Sequence, residues 1–365
     1  MKLSELKFES KEKQRLLQRY ILEMQTVEDF LCLSLLEIKR IGRLGSSDDA
    51  TNFRAEVAEQ YINFSVGNDP QAGEQALTIT AQELCNLEAN AGIRPMTSGC
   101  EVIDAALPVF VPGHVVEIAG ESGCGKTQLS LQLCVAAQLP AELGGLGSKA
   151  MYVTTEGNVP TQRLCDIADA VRRAAPGALP QNPLDGITVL PMLHYCSDRY
   201  TELLQGCERK CDEEGIRLVV VDSIAAMFRG RSEMEDPIHR SEAIWSIAHV
   251  LHSIASKGAV VVVVNQVSSV IDKFPSSGGG VGGVLNRVSP ALGLSWSNTV
   301  NTRVLVTQTP LTHDDGTTVR LMQLMFSPTL PLPTVSMLHE IRDNGNREKS
   351  AVLYHIDHDG VHGIK

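Results

Sequence analysis

Gly120-Glu121-Ser122-Gly123-Cys124-Gly125-Lys126-Thr127 spells G-x-x-x-x-G-K-T between an apolar run and a helical pattern. Its glycines let the backbone turn so that several N–H groups face an anion, and a helix N-terminus just beyond adds partial positive charge. In such a cradle Lys126 reaches the β and γ phosphates and the Thr127 hydroxyl ligates Mg²⁺. Val115-Val116-Glu117-Ile118-Ala119 reads as a buried strand entering the loop. Residues 128–137 read as the helix leaving it, with Leu129, Leu133 and Ala136 on one face. A glycine turn alone would mean little, but strand, loop and helix in this order predict nucleotide binding.

Downstream of the loop, apolar β-branched runs alternate with helical stretches. Strands are expected at Ala150–Thr154, Gly186–Leu190, Arg217–Val221 and Ala259–Val264, and helices at Thr161–Arg173, Tyr200–Glu214 and Pro237–Ser256. The five consecutive valines Val260–Val264 suit a central strand buried on both faces. Beyond Val300 the pattern becomes strands joined by turns: Thr302–Thr307, Thr318–Phe326, Thr334–Ile341 and Ser350–Ile356. These are expected to extend the sheet as antiparallel edge strands. The expected class is α/β: a mostly parallel twisted sheet with helices on both faces and antiparallel edge strands, behind a small all-α domain.

Around the phosphate site three further groups stand at strand ends. Leu218-Val219-Val220-Val221-Asp222 is an apolar strand closing on a carboxylate that can hold Mg²⁺ through water. No acid directly follows Asp222, so the group that activates water must come from elsewhere. Glu156, at the end of Met151–Gly157, fits that role and also fits an exposed turn acid. Gln266 follows the valine strand, where an amide can sense the γ-phosphate. After it, residues 268–288 carry Gly278-Gly279-Gly280 and Gly282-Gly283 with Lys273 and Arg287, while Arg229 and Arg231 follow the Asp222 strand. Basic loops beside a nucleotide site suit a nucleic-acid channel and equally suit solvated surface charge.

The chain has 365 residues, 43% hydrophobic and 21% charged, with net charge −11. That balance excludes a broad nucleic-acid coat and confines any DNA contact to particular loops. Nine cysteines without a C-x-x-C pair fit reduced thiols inside the cell. Cys207 and Cys211, one turn apart, read as ordinary helix positions. No apolar run reaches membrane length, and no signal-peptide core opens the chain. His355, His358 and His362 are expected to be solvated surface histidines rather than a metal cluster.

Residues 2–19 alternate charge with Leu6, Phe8, Leu16 and Leu17, a pattern open to a helical arm or a tail. From Thr26 three helices follow: one capped by Thr26 with Asp29, one from Ser34-Leu35-Leu36-Glu37 to Gly42, and one over Asp48–Phe64. Their helix, glycine turn, helix step reads as a helix-hairpin-helix, able to hold DNA phosphate or to serve as a packing module. Ser65–Gly92 carries Gly67, Asn68, Asp69, Pro70 and Gly73, which is linker chemistry. The organisation expected is a helical domain over 1–64, a linker over 65–92 and a core over 93–365.

Taken in order, these elements resemble the RecA/RadA family, in its eukaryotic recombinase-paralogue branch. The matching phrases are Pro95-Met96-Thr97-Ser98-Gly99-Cys100, the loop ending Gly125-Lys126-Thr127-Gln128, Thr155-Glu156-Gly157 with Arg163 beyond, Val221-Asp222-Ser223 and Asn265-Gln266-Val267. Residues 286–298, Ala119-Gly120, Gln132-Leu133-Cys134 and the ending Asp359-Gly360-Val361 are similar to the paralogues in particular. The resemblance implies a RecA-like P-loop ATPase core binding ATP and Mg²⁺, with slow DNA-dependent turnover. It implies binding to single-stranded DNA, assembly with another paralogue (the C-type paralogue) and with the main recombinase filament, and homologous recombination in the nucleus, with some protein in the cytoplasm and no membrane partner. By position, residues 120–128 cradle the phosphates, Lys126, Glu156 and Gln266 are catalytic, Thr127 and Asp222 serve the metal, and Arg163 lies on the adenine side. Arg229, Arg231, Lys273 and Arg287 then face DNA. Two departures from the family stand out. Its linker Phe-x-x-Ala is matched only by Thr78-Ile79-Thr80-Ala81, and its acid before Ser-Pro is replaced by Phe326 before Ser327-Pro328. Both weaken self-polymerisation and leave open a rival reading as a nucleotide-stabilised scaffold with little turnover.

Overall fold

The computed structural model describes residues 2–8, 10–22, 24, 26–31, 33, 35–66, 80–82, 85–86, 92–192, 197–228, 237–269, 288–332 and 350–364. The chain divides into two compact units, Met1–Gly92 and Ile93–Lys365.

In the first unit, helices α1 (Lys11–Ile21), α2 (Val27–Leu31), α3 (Leu35–Gly42) and α4 (Ser47–Val66) surround one core. The start of the chain, ambiguous in sequence, joins that core: Leu3, Leu6, Leu17 and Tyr20 are buried with Phe30 and Phe53. Tyr20 and Phe30 meet edge to face at 4.9 Å, and Phe53 lies 5.7 Å from each. Such ring pairs add about 0.5–1.5 kcal/mol each beyond burial. Thr26 and Asp29 cap α2 reciprocally, as their spacing predicts. Helix α4 starts earlier than Asp48, because Ser46 and Asp49 form the same box. Gly42 is required by packing, since a Cβ there would lie 2.3 Å from the Tyr20 hydroxyl oxygen. Ser34 lies outside the described residues.

The second unit is built on one twisted sheet. Its strands are β1 (Val115–Gly120), β2 (Lys149–Thr154), β3 (Ile187–Pro191), β4 (Ile216–Asp222), β5 (Val260–Ser269), β6 (Val288–Pro290), β7 (Thr302–Thr312), β8 (Thr318–Phe326), β9 (Ala351–Ile356) and β10 (Val361–Gly363). Their order is β10-β9-β8-β7-β1-β5-β4-β2-β3, with β6 pairing β5. The valine run is the central strand expected: Val260 and Val262 enter the core on one face, Val261 and Val263 that on the other. The period-2 alternation of a strand splits the run between the two faces. Helices α5 (Glu101–Ala106), α6 (Lys126–Ala136) and α7 (Thr161–Ala174) cover the first face, and α8 (Ser197–Glu214) and α9 (Pro237–Ser256) the second. Helix α6 is buried from Leu129 through Ala136, not on one face only. Cys207 and Cys211 are core positions of α8.

One strand departs from expectation. β7 is not an antiparallel edge strand but an interior one, parallel to β1, with Thr302 level with Val116. The cause is the connection: β6 runs antiparallel to β5, and helix α10 (Gly293–Ser297) returns the chain to the amino end of the sheet. Beyond β7 the pairing is antiparallel, through β8, β9 and β10. The strand expected over Thr334–Ile341 lies outside the described residues.

Candidate functional site

Parallel strands point their carboxyl ends the same way, and the register sets the depth of each site residue. Gly120 of β1 is level with Gln266 of β5, and Asp222 of β4 is level with Thr154 of β2 and Val264 of β5. The glycines of the phosphate loop are needed for different reasons. At Gly120 a Cβ would lie 2.3 Å from the Val306 carbonyl oxygen of β7. At Gly125, the residue before α6, φ is 88° and a Cβ would meet Ile356 of β9 at 2.2 Å. The Tyr354 hydroxyl, also from β9, donates to the Cys124 carbonyl at 2.6 Å, so the outer strands form one wall of the loop. Burial pushes the Cys124 thiol up, which makes it inert packing.

Lys126 is buried, and its ammonium donates to the carbonyls of Gly120 (2.8 Å) and Glu121 (2.7 Å). Burial lowers its pKa, and Asp222 and Glu156 are among the charges that oppose the shift. A phosphate has the charge to displace those neutral carbonyls. The Thr127 hydroxyl donates to Asp222 Oδ2 at 2.7 Å, and the Tyr152 hydroxyl donates to the same oxygen at 2.6 Å. An all-oxygen set at a helix N-terminus suits a hard cation with its phosphates, so the residues fit Mg²⁺-nucleotide. Tyr152 escaped the sequence reading. Its signal was positional, since it shares the Thr154 face of β2, beside β4. Burial first, then the Asp222 charge, raises the Tyr152 phenol, which keeps it a donor.

Glu156 and Gln266, expected at two different strand ends, meet: Gln266 Nε2 donates to Glu156 Oε1 at 3.1 Å. Behind Gln266 lies a buried network the sequence reading did not find. Asn265 Oδ1 accepts from the Gln266 backbone N–H at 2.8 Å, and Asn265 Nδ2 donates to Glu117 Oε1 at 2.6 Å. Trp296 Nε1 donates to the same oxygen at 3.0 Å, and Arg303 pairs with the other one. Glu117, in the middle of β1, is wholly buried. A charge inside an apolar run was the available signal, but its partners come from β5, β7 and α10, which only register brings together.

Arg163, on the first turn of α7, donates to Gln128 Oε1 at 2.6 Å and to the carbonyls of Asp357 and His358. This ties α7 to α6 and to the turn between β9 and β10. Arg229, Arg231, Lys273 and Arg287 lie outside the described residues. His358 is exposed, as expected, but His355 is not: it is buried on β9 against His313, a residue the sequence reading did not consider. Its burial follows from register, since β9 is flanked by β8 and β10.

A profile of the Rad51 family matches residues 91–345. The DNA repair protein XRCC3 of Mus musculus is 31% identical over 324 residues, spanning 85% of this chain and 88% of the relative. The XRCC3 homolog of Arabidopsis thaliana is 30% identical over 275 residues, 65% of this chain and 88% of the relative. The DNA repair and recombination protein RadA of Cenarchaeum symbiosum is 33% identical over 235 residues, 62% of this chain and 56% of the relative. Among the described residues no helix is long and apolar enough to cross a membrane.

Proposed function

Because the chain belongs to the Rad51 family, we propose that it is a recombinase-paralogue ATPase which binds ATP, Mg²⁺ and single-stranded DNA and works in complex with another paralogue. It is an XRCC3-like DNA repair protein of the recombination type, and its family carries a nucleotide-binding ATPase domain. In the proposed assembly the C-type paralogue is the partner, the complex supports the main recombinase filament, and the work is done in the nucleus, with a cytoplasmic fraction. The organisation we adopt is a helical domain over 1–64, a linker over 65–92 and the ATPase core over 93–365.

The observation that carries the ATPase reading is the Glu156–Gln266 pair, at the same sheet edge as Lys126, Thr127 and Asp222. Mg²⁺ would supply charge neutralisation on the phosphates. Thr127 and Asp222 would hold it, the latter kept in place by Tyr152. Lys126 would trade its loop carbonyls for phosphate oxygens. Glu156 would orient or deprotonate the attacking water, a role that contributes on the order of 10²–10⁴ in rate. Gln266 lies three residues before the end of β5, where residues 270–287 begin, so a change at the Glu156 pair has a short covalent route to the segment that contains Lys273 and Arg287. Arg229 and Arg231 follow β4 similarly, and these four residues are the DNA contacts we propose.

Assembly with another chain is supported on the far side of the sheet. β3 ends the strand order there, with Val189 exposed, beside a cavity of about 360 Å³ whose apolar lining, including Val189, Leu190 and Leu203, is joined by Glu202, Arg209 and Lys210. An extended segment from a partner can add to that edge and seat an apolar side chain in the cavity. The chain lacks the family's linker Phe at Thr78-Ile79-Thr80-Ala81, so it offers such an edge without a matching donor of its own.

One observation favours the scaffold reading, in which nucleotide holds the assembly and is hardly turned over. Phe326 stands where the family has an acid, and its ring lies under the Arg303 guanidinium at 5.0 Å, committed to the fold. Steady-state ATP hydrolysis separates the two. Stimulation that requires both single-stranded DNA and the co-purified partner supports the ATPase. A low rate indifferent to both supports the scaffold and overturns the ATPase.

A further inference from the structure

Away from the phosphate site, the turn between β7 and β8 folds against β9 and brings three metal-ligating side chains together. The imidazoles of His313 and His355 stack at 4.0 Å, 11° from parallel. Asp315 reaches both rings, with Oδ1 3.2 Å from His313 Nδ1 and Oδ2 3.5 Å from His355 Nδ1. One ligand atom from each residue lies within 4.8 Å of the others, the sole such group among the described residues. Tetrahedral zinc with bonds of 2.0–2.2 Å separates its ligand atoms by about 3.4 Å, close to each carboxylate–imidazole spacing; those spacings run to different oxygens of Asp315, so one imidazole turns out of the stack when both nitrogens share an ion. His313 Nδ1 is buried beside the Asp315 carboxylate. Asp315 accepts from the Thr317 hydroxyl (2.6 Å) and backbone N–H (2.8 Å), the kind of outer support that orients a ligating carboxylate.

We propose that His313, Asp315 and His355 bind one divalent transition metal, with Zn²⁺ the ion this ligand set suits. Two imidazoles and one carboxylate, with water completing a tetrahedron, select a borderline cation over Mg²⁺, which prefers six oxygens. The ion would clip the β7–β8 turn to β9. β9 also carries Tyr354 and Ile356 against the phosphate loop, so the clip would brace that wall of the nucleotide site. This role is independent of the Mg²⁺ at Thr127 and Asp222.

The test uses the full-length protein, stripped with a chelator and dialysed in parallel against Zn²⁺ and Mg²⁺ without nucleotide, with bound metal counted by mass spectrometry. The same is done for His313→Gln and Asp315→Asn, both in the turn and less disruptive than a change at buried His355; circular dichroism checks their fold. Wild type should hold one more zinc per chain than either variant, with affinity reduced more than about a hundredfold in each, and zinc should raise the wild-type melting temperature alone. Co²⁺ in the site should give a tetrahedral spectrum without thiolate charge transfer. Equal zinc uptake by all three proteins would overturn the proposal, since the cysteines would then be the ligands. So would a zinc affinity no tighter than that for magnesium.

Discussion

Glu117 and Lys126 are both charged, both buried and both reached from strand β1, yet their surroundings differ in kind. Glu117 is held by Arg303, Asn265 and Trp296, all side chains of the same fold. Lys126 is held by two backbone carbonyls of its own loop, partners that a phosphate outcompetes. The first charge is committed to structure and the second is available for binding. Buried polar groups must be paired; what marks a site is that the pairing is exchangeable.

The comparison is broken most severely at Glu117. Glu117→Ala leaves Arg303 buried without its partner and should destabilise the core by about 3–5 kcal/mol, read as a lower denaturant midpoint. Glu117→Leu combined with Arg303→Met should recover most of the loss. A single variant that unfolds with wild type would show that the network is not structural. Lys126→Ala should act in the opposite way, with nucleotide binding lost and the midpoint little changed in nucleotide-free protein. Calorimetric titration with ATP and Mg²⁺ decides this, and retained affinity would remove the lysine from the site. Tyr152→Phe tests the boundary between the two regions. It deletes one hydrogen bond to Asp222, and the Mg²⁺ requirement of nucleotide binding should rise about tenfold; an unchanged requirement would make Tyr152 mere packing. Lys257 is the control, paired with Asp212 and Glu208 at the surface. Lys257→Ala should move stability by less than about 1 kcal/mol.

Sequence and structure agree where the chemistry is local. The phosphate loop needs eight consecutive residues, and the positions of Asp222 at the end of β4 and Glu156 just past β2 follow from apolar runs that stop at polar residues, whereas β5 runs three residues beyond Gln266. The capping box of Thr26 and Asp29 spans three positions and was legible for the same reason. What stayed hidden depends on register between distant segments. Tyr152 meets Asp222 across 70 positions, and Glu117 collects partners up to 186 positions away. His355 drew attention with its sequence neighbours His358 and His362, whereas its structural partner His313 is 42 positions earlier in the chain. The orientation of β7 failed on connection geometry, because periodicity reports which faces a strand buries and not which way it runs.

The central claim is that Glu156 acts on the water that attacks ATP bound by Lys126 and Thr127. Single-turnover hydrolysis by wild type and Glu156→Gln, each with the partner and single-stranded DNA and with ATP binding measured alongside, tests it most directly. The account predicts near-equal binding and a hydrolysis rate reduced at least about a hundredfold in the variant. Equal hydrolysis by the two proteins would contradict it.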